Sequence, residues 1–394
     1  MSQIKISIIE FDYHAEVLRD FCRITENTDF LVRIFTTEKI WSAVGNYQEK
    51  LPANFQLFQK TKGKSLSRFI YCNYKELNSS DVIIFNTIAS NFRLFSRLKL
   101  DPVLVVRIHN ANAYFNKLLK TYKPIFTPFF VCKDLSHFLR KTIGELDWYY
   151  RKKFLHKVHY FAFPSKLILQ HAIDTFHIQK TKAVYLPLSY TSTEMKKTKT
   201  LENTNTTVIV TGRVDRRVRD YMILYKSFKL ALSKNNKPIR LVLLGKSNSV
   251  YGKKIVKLFK ALESDKFSFI SFPNYIEQDL FKNYIDNSDF LILPIKIDAR
   301  YTIYNEKYGY TKMSGSINDL IKYQKPGLIN AEYPLDDDLK FITEPYKDEK
   351  ELADKIIAWS ESEKYKSINF KDALKNYQLS KIQAYFKKTI KSML

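Results

Sequence analysis

The stretch VIVTGRVDRRVRDYMILYKSF, residues 208–228, reads as a strand, a tight turn and a helix in succession. Its apolar run is continuous rather than alternating, which is the habit of a strand covered on both faces in a parallel sheet. Gly212 permits the sharp turn that follows. Arg213, Arg216, Arg217 and Arg219 then crowd that turn before an amphipathic helix starts. Arginines at a strand end beside a helix start suit bidentate recognition of phosphate. A strand of this kind needs parallel neighbours, and the rest of the chain supplies them.

In the first half the comparable runs are IKISII, FLVRIFT, DVIIFNT, PVLVVRIHN, HYFAFPS and KAVYLPLS; in the second half come IRLVLLGK, FSFISFPN, SDFLILPIK and PGLIN. Helical patterns at 220–233, 251–263, 277–287 and 316–324 separate the later ones, so the strand–helix–strand alternation occurs twice over. Between the halves lies SYTSTEMKKTKTLENTNT, polar and rich in Thr and Lys, which reads as a linker. The expected fold class is α/β, with two Rossmann-like doubly wound domains facing a cleft. The expected domains are 1–188 and 206–374, with a C-terminal helix at about 375–394 packing back on the first.

The chain has 394 residues and a net charge of +25. The charge is uneven: residues 51–200 hold 25 Lys/Arg and 8 Asp/Glu, a net of +17. That points to an anionic partner. Lys/Arg mixed with Phe, Tyr and Trp148 over residues 115–160 suits an anionic membrane surface. Cys22, Cys72 and Cys132 are sparse, odd in number and without CxxC spacing, as expected of free thiols in a reducing compartment. With no apolar run long enough to span a bilayer, the expected location is cytoplasmic, with peripheral attachment to the inner face of the cell membrane open.

Open parallel sheets bind ligands beyond the carboxyl ends of their strands. The residues there include Asp12 and His14 after the first strand, then Asn86, His109 and Asn110. In the second half they are Gly212, Arg213, Gly245, Lys246, Asn274 and Lys296. Ser314-Gly315-Ser316 reads as a helix N-terminus, whose free amides and dipole favour phosphate. Asp319, one turn in, either accepts ribose hydroxyls or complements the dipole. Together with the arginine turn and Lys246, this makes a candidate diphosphate site. His156 and His159 share no face with a carboxylate, and DDD at 336–338 stands in a polar loop, so no metal site is expected.

The order TGRV…RDY, LVLLGK, FSFISFPNYIEQDLFKNYIDNSDFLILP, NEKYG and SGSINDLIKYQKPGLIN resembles the donor half of GT-B glycosyltransferases, most closely glycosyltransferase family 4. The resemblance covers most of 206–330 and is looser over 1–190, where RIHN and FAFPSKLILQHAI carry it. It implies that Arg213 and Arg217 or Arg219 hold a donor diphosphate, that Glu306 contacts the donor sugar, and that the Ser-Gly-Ser amides meet phosphate. It also implies that His109 faces the sugar, and it places Asp319 at the family's second acid. Twelve residues separate Glu306 from Asp319 here, against seven in the family.

The expected function is transfer of a sugar from a nucleotide donor, such as a UDP- or GDP-sugar, to a glycan or lipid-linked glycan in surface polysaccharide synthesis. No cofactor is expected: the arginines, Lys246 and the helix terminus would stabilise the leaving diphosphate without a metal. Asp12 or His14 would act as base or orient the acceptor. The alternatives are a nucleotide-sugar epimerase of the same fold, or a basic nucleic-acid- or membrane-binding protein without transferase activity. No nucleic-acid motif is present, and nucleic acid is not an expected partner.

Overall fold

The computed structural model describes residues 3–45, 47, 50–116, 135–192, 205–301 and 304–394. The chain divides into two compact units. The first comprises Met1–Leu188, Thr302–Asn305 and Ser380–Leu394, and the second Ser189–Tyr301 and Glu306–Leu379.

The first unit is built on seven parallel strands: β1 (Lys5–Glu10), β2 (Leu31–Thr37), β3 (Phe55–Lys60), β4 (Val82–Thr87), β5 (Val103–Arg107), β6 (Tyr160–Phe163) and β7 (Ala183–Tyr185). Their spatial order is β3-β2-β1-β4-β5-β6-β7. Every residue of β4 is buried, as its continuous apolar run requires. Phe85 on that strand meets Phe95 and Phe154 edge-on, each with centroids 5.1 Å away. The C-terminal helix Leu379–Lys391 buries Ile382, Phe386 and Ile390. Phe386 sets its ring edge-on to Phe21 and Phe30 of this unit.

In the second unit β8 (Thr206–Thr211), β9 (Ile239–Lys246), β10 (Phe267–Phe272) and β11 (Phe290–Leu293) lead to β12 (Asp298–Tyr301); the short strand β13 (Tyr304–Lys307) follows, its last two residues in this unit. β14 (Gly327–Asn330) and β15 (Thr343–Tyr346) complete the set. The main sheet runs β10-β9-β8-β11-β14-β15, all parallel. Alternation along β8 explains why its run is unbroken. Val208 and Val210 pack with Leu224 and Phe228 of the helix Tyr221–Leu232 on one face. Ile209 packs with Ile317, Leu320 and Ile321 of the helix Gly315–Lys322 on the other.

In each unit the strand order reverses beside the first strand, between β1 and β4 and between β8 and β11. Loops there diverge to opposite faces and leave a crevice at the carboxyl edge. Both candidate clusters lie at these two places.

No helix among the described residues is long and apolar enough to cross a membrane. Residues 117–134, part of the basic aromatic span, and 193–204 of the linker lie outside the described residues.

Candidate functional site

In the first unit the cluster is organised by Glu10, the last residue of β1. Its carboxylate is buried. One oxygen accepts the backbone N–H groups of Asp12 (2.9 Å) and Tyr13 (3.2 Å), and the other accepts from the Asn86 side-chain amide at 2.5 Å. Burial pushes its carboxyl above the ordinary value, against the pull of hydrogen bonds from Thr87, Asp12 and Tyr13 and of the His14 charge. Glu10 thus fixes the turn that carries Asp12 and His14.

Asp12 turns toward the loop after β4, where it accepts from the Ala89 N–H at 2.9 Å and the Ser90 hydroxyl at 3.4 Å. Burial raises its carboxyl as well. It does not cap the first helix, Ala15–Thr25; His14 occupies that position and makes no side-chain cap bond. Asp12 is therefore a strut between two loops.

His14 has its Nδ1 2.8 Å from the Glu16 carboxylate. Its ring stacks on His109, centroids 4.5 Å apart and planes 7° from parallel. Burial would raise the Glu16 carboxyl, but the hydrogen bond and charge of His14 outweigh it and hold it below the ordinary value. His109 follows β5, with its Nε2 2.9 Å from the Asn86 carbonyl and 3.0 Å from the Arg107 guanidinium. Burial lowers Arg107 to about 10, opposed by Asp20, Glu16 and Glu10. The result is a pair of imidazoles with different neighbours, a carboxylate for His14 and a guanidinium for His109.

In the second unit Gly212 adopts φ +90° at the end of β8, and the guanidinium of Arg219 fills the space where a Cβ would stand. Arg219 is 9% exposed. One terminal nitrogen donates to the Ser316 hydroxyl at 3.2 Å, and its Nε is buried without a partner. Ser316 also lies 2.9 Å from the Thr211 hydroxyl. Ser314 caps the helix Gly315–Lys322 by accepting from the Ser316 N–H, while its own N–H donates to the Tyr333 hydroxyl at 3.3 Å. Asp319 sits behind Thr211, and burial raises its carboxyl to about 6, opposed by the Thr211 hydrogen bond, Lys322 and Arg219.

The fold thus brings Gly212, Arg219, Ser314, Gly315, Ser316 and Asp319 together at one strand-to-helix junction. Arg213, in the turn after β8, and Lys246, the last residue of β9, are exposed and are linked through the Val214 N–H to Lys246 carbonyl bond of 3.0 Å. Gly245 is as constrained as Gly212, since a Cβ on it would lie 2.2 Å from the Gly212 carbonyl oxygen. Arg217 places its guanidinium on Asp215 at 2.7 Å and so stiffens the turn. Asn274 is exposed beyond β10, apart from this hydrogen-bonded group. Glu306 is buried on β13; burial lowers Lys312 to about 8, opposed by the charge of Glu306.

Glu10, Glu16 and Arg107 are the residues that strand-end reasoning passed over. For Glu10 and Arg107 the signal was a charge closing or adjoining an apolar run, in IKISIIE and VLVVRIHN; Glu16 stands two residues past His14 on the first helix. Among the described residues no group of His, Cys, Asp and Glu could hold a metal ion.

No protein family and no curated protein sequence matches the chain. Solved structures do. A glycosyltransferase from Rickettsia africae matches with a TM-score of 0.64 at 11% identity, covering 100% of this chain and 99% of that one. Alr3699/HepE of Anabaena, in complex with UDP, matches at 0.61 and 12% over 99% and 100%. The lipopolysaccharide outer core galactosyltransferase WaaB matches at 0.55 and 11% over 99% and 100%. The fold is GT-B. At these identities the likeness concerns architecture, and chemistry has to be argued from the side chains.

Proposed function

We propose that the chain is a glycosyltransferase that moves a sugar from a nucleoside-diphosphate donor to a glycan or lipid-linked glycan acceptor, in the building of a surface polysaccharide. The observation that carries this reading is Arg219: a buried guanidinium with an orphan Nε, seated against Gly212 and hydrogen-bonded at a helix N-terminus. A diphosphate supplies what that geometry lacks, namely acceptor oxygens and negative charge for the guanidinium and the first-turn amides. Arg213 and Lys246, exposed on the same rim, would meet the outer oxygens. Charge growing on the leaving diphosphate is then stabilised by groups already in position, without a metal ion. UDP is the first nucleotide to test, because HepE is bound to it.

In the first unit, Glu16 holds the Nδ1 proton of His14, which leaves Nε2 as the basic atom. His14 would take the proton of the acceptor hydroxyl. His109, beside Arg107, would hydrogen-bond the donor sugar. Asp12 and Glu10 would keep the loop in place, and Glu306, with Asn274 further along the edge, would complete the donor contacts.

Thermal shift with UDP, GDP and ADP tests the donor site. Stabilisation by one nucleotide, lost in Arg219→Ala and weakened in Arg213→Ala, is expected. Indifference to all three overturns the reading. Interconversion of a UDP-sugar with no UDP release in the presence of acceptor would move it to an epimerase.

A further inference from the structure

The first unit carries a surface that sugar transfer does not use. Residues 135–157 run as the helical turn Leu135–Leu139, a π-helical turn at Arg140–Gly144, and the helix Asp147–Lys157. π-helical turns are uncommon and cluster at functional positions. Leu146, between the two helices, has φ 46° and ψ 42°. That left-handed conformation is unfavourable for a branched side chain and persists only where the surroundings enforce it.

What enforces it lies underneath. Asp147 is buried and pairs with Lys141 at 3.2 Å and with Arg151 at 3.0 Å. Lys141 also donates to the Ala89 carbonyl, and Arg151 to the Tyr304 hydroxyl at 3.1 Å. This buried ion cluster pins the inner side of the segment. The outer side is apolar: Leu139, Ile143, Leu146, Trp148 and Tyr149 are all exposed, Ile143 by 70% and Trp148 by 47%. Buried ions below and bare hydrocarbon above is the reverse of ordinary packing, so the exposure is built in.

Charge decides what covers it. On the helix Asp147–Lys157, the residues one turn beyond Trp148 and Tyr149 are Lys152 and Lys153, with Lys157 a turn further; all three are exposed. From Trp148 to Ile173 the sequence contains no Asp or Glu. Glu145, within the segment, pairs with Arg140 and Lys141. Hydrocarbon and aromatic side chains bordered by unopposed lysines match the layering of an anionic bilayer, with acyl chains inside and negative head groups at the rim.

We propose that residues 139–157 dock the protein on an anionic lipid bilayer, with Ile143 and Trp148 as inserted anchors and Lys152, Lys153 and Lys157 on the head groups. Lipid docking does not depend on sugar transfer: a chain that ignores vesicles can still bind UDP, and the converse.

The test is co-sedimentation of the full chain with phosphatidylcholine vesicles, with and without phosphatidylglycerol. Binding only with phosphatidylglycerol, falling as salt rises, is expected. Ile143→Asp and Trp148→Asp, on an exposed face, should each cut partitioning about tenfold or more while leaving the Tm near wild type. Lys152→Glu with Lys153→Glu should abolish the dependence on charged lipid. A readout without substitution uses brominated lipid, since Trp41 and Trp359 are buried and Trp148 is the exposed indole. Quenching is expected only in the wild-type protein and not in Trp148→Phe. No binding to anionic vesicles, unchanged binding in the variants, or loss in them of a lipid-free dimer would overturn the assignment; the last would make this face a contact between copies.

Discussion

The ring of His14 lies flat on the ring of His109, centroids 4.5 Å apart, at the carboxyl edge of the first sheet. The neighbours divide the roles: Glu16 is 2.8 Å from His14, and Arg107 is 3.0 Å from His109. His14→Asn should lower kcat about a hundredfold or more, while UDP still shifts the Tm as in wild type. Glu16→Gln should lower kcat less, by about tenfold, because the base remains and loses only its orienting partner. Both are read from UDP release at saturating donor. A kcat in His14→Asn within twofold of wild type would make His14 a spectator.

Gly212 and Arg219 form a second pair with a sharp consequence. A methyl group at residue 212 would stand 2.3 Å from the Arg219 terminal nitrogen, on a backbone at φ +90°. Gly212→Ala therefore has to displace the guanidinium and strain the turn at once. It should cost about 1–3 kcal/mol in urea unfolding and also remove the thermal shift given by UDP. Arg219→Ala should remove the same shift. If Gly212→Ala bound UDP normally, Arg219 would not be the phosphate ligand.

The interior strands were legible because an unbroken Val/Ile/Leu run has few other homes. The strands that escaped lie where that logic fails. β3, FQLFQK, is an edge strand with one buried residue, and its glutamines break the apolar run. β15, TEPY, is also an edge, where Pro345 is tolerated because no donor is needed on the outer side. β12 and β13 form a small separate sheet of polar sequence. The Gly212 turn and Ser314-Gly315-Ser316 could be read from the chain, because glycine geometry and helix capping are local properties. The direction of Asp12 and the burial of Glu10, Glu16 and Arg107 around His109 could not. These follow from how β1, β4 and β5 align, which no short stretch of sequence contains.

Asp147 is the acid that pairs with both Lys141 and Arg151, and the side chains of all three are nearly inaccessible. Asp147→Asn keeps the shape but leaves two buried cations facing each other, and breaking such a pair typically costs about 3–5 kcal/mol. Glu145, 3.5 Å from Lys141, softens this, so a loss of about 3 kcal/mol in urea unfolding is expected. Adding Lys141→Met should recover part of it. A loss under about 1 kcal/mol would mean that the cluster is hydrated and does not pin the segment above it.

Asp319 gives the stability a pH dependence that can be isolated. Burial raises its carboxyl to about 6 in the folded chain, against about 3.9 when unfolded. Between about pH 4 and 6 the folded state therefore keeps a proton that the unfolded state has released. Where the native state binds more protons, stability falls as pH rises. Below that window the residue is protonated in both states and costs nothing; above it, the ionised carboxylate is a constant burden, partly relieved by Arg219 and Lys322. Asp319→Asn keeps a polar partner for Thr211 and removes the titration. The variant should match wild type near pH 4 and exceed it by on the order of 1 kcal/mol at pH 7, as measured by urea unfolding across the range. A difference independent of pH, or one favouring wild type at pH 7, would mean that Asp319 is held ionised by Arg219. Its place behind Thr211 would then be that of a permanent counter-ion to the guanidinium.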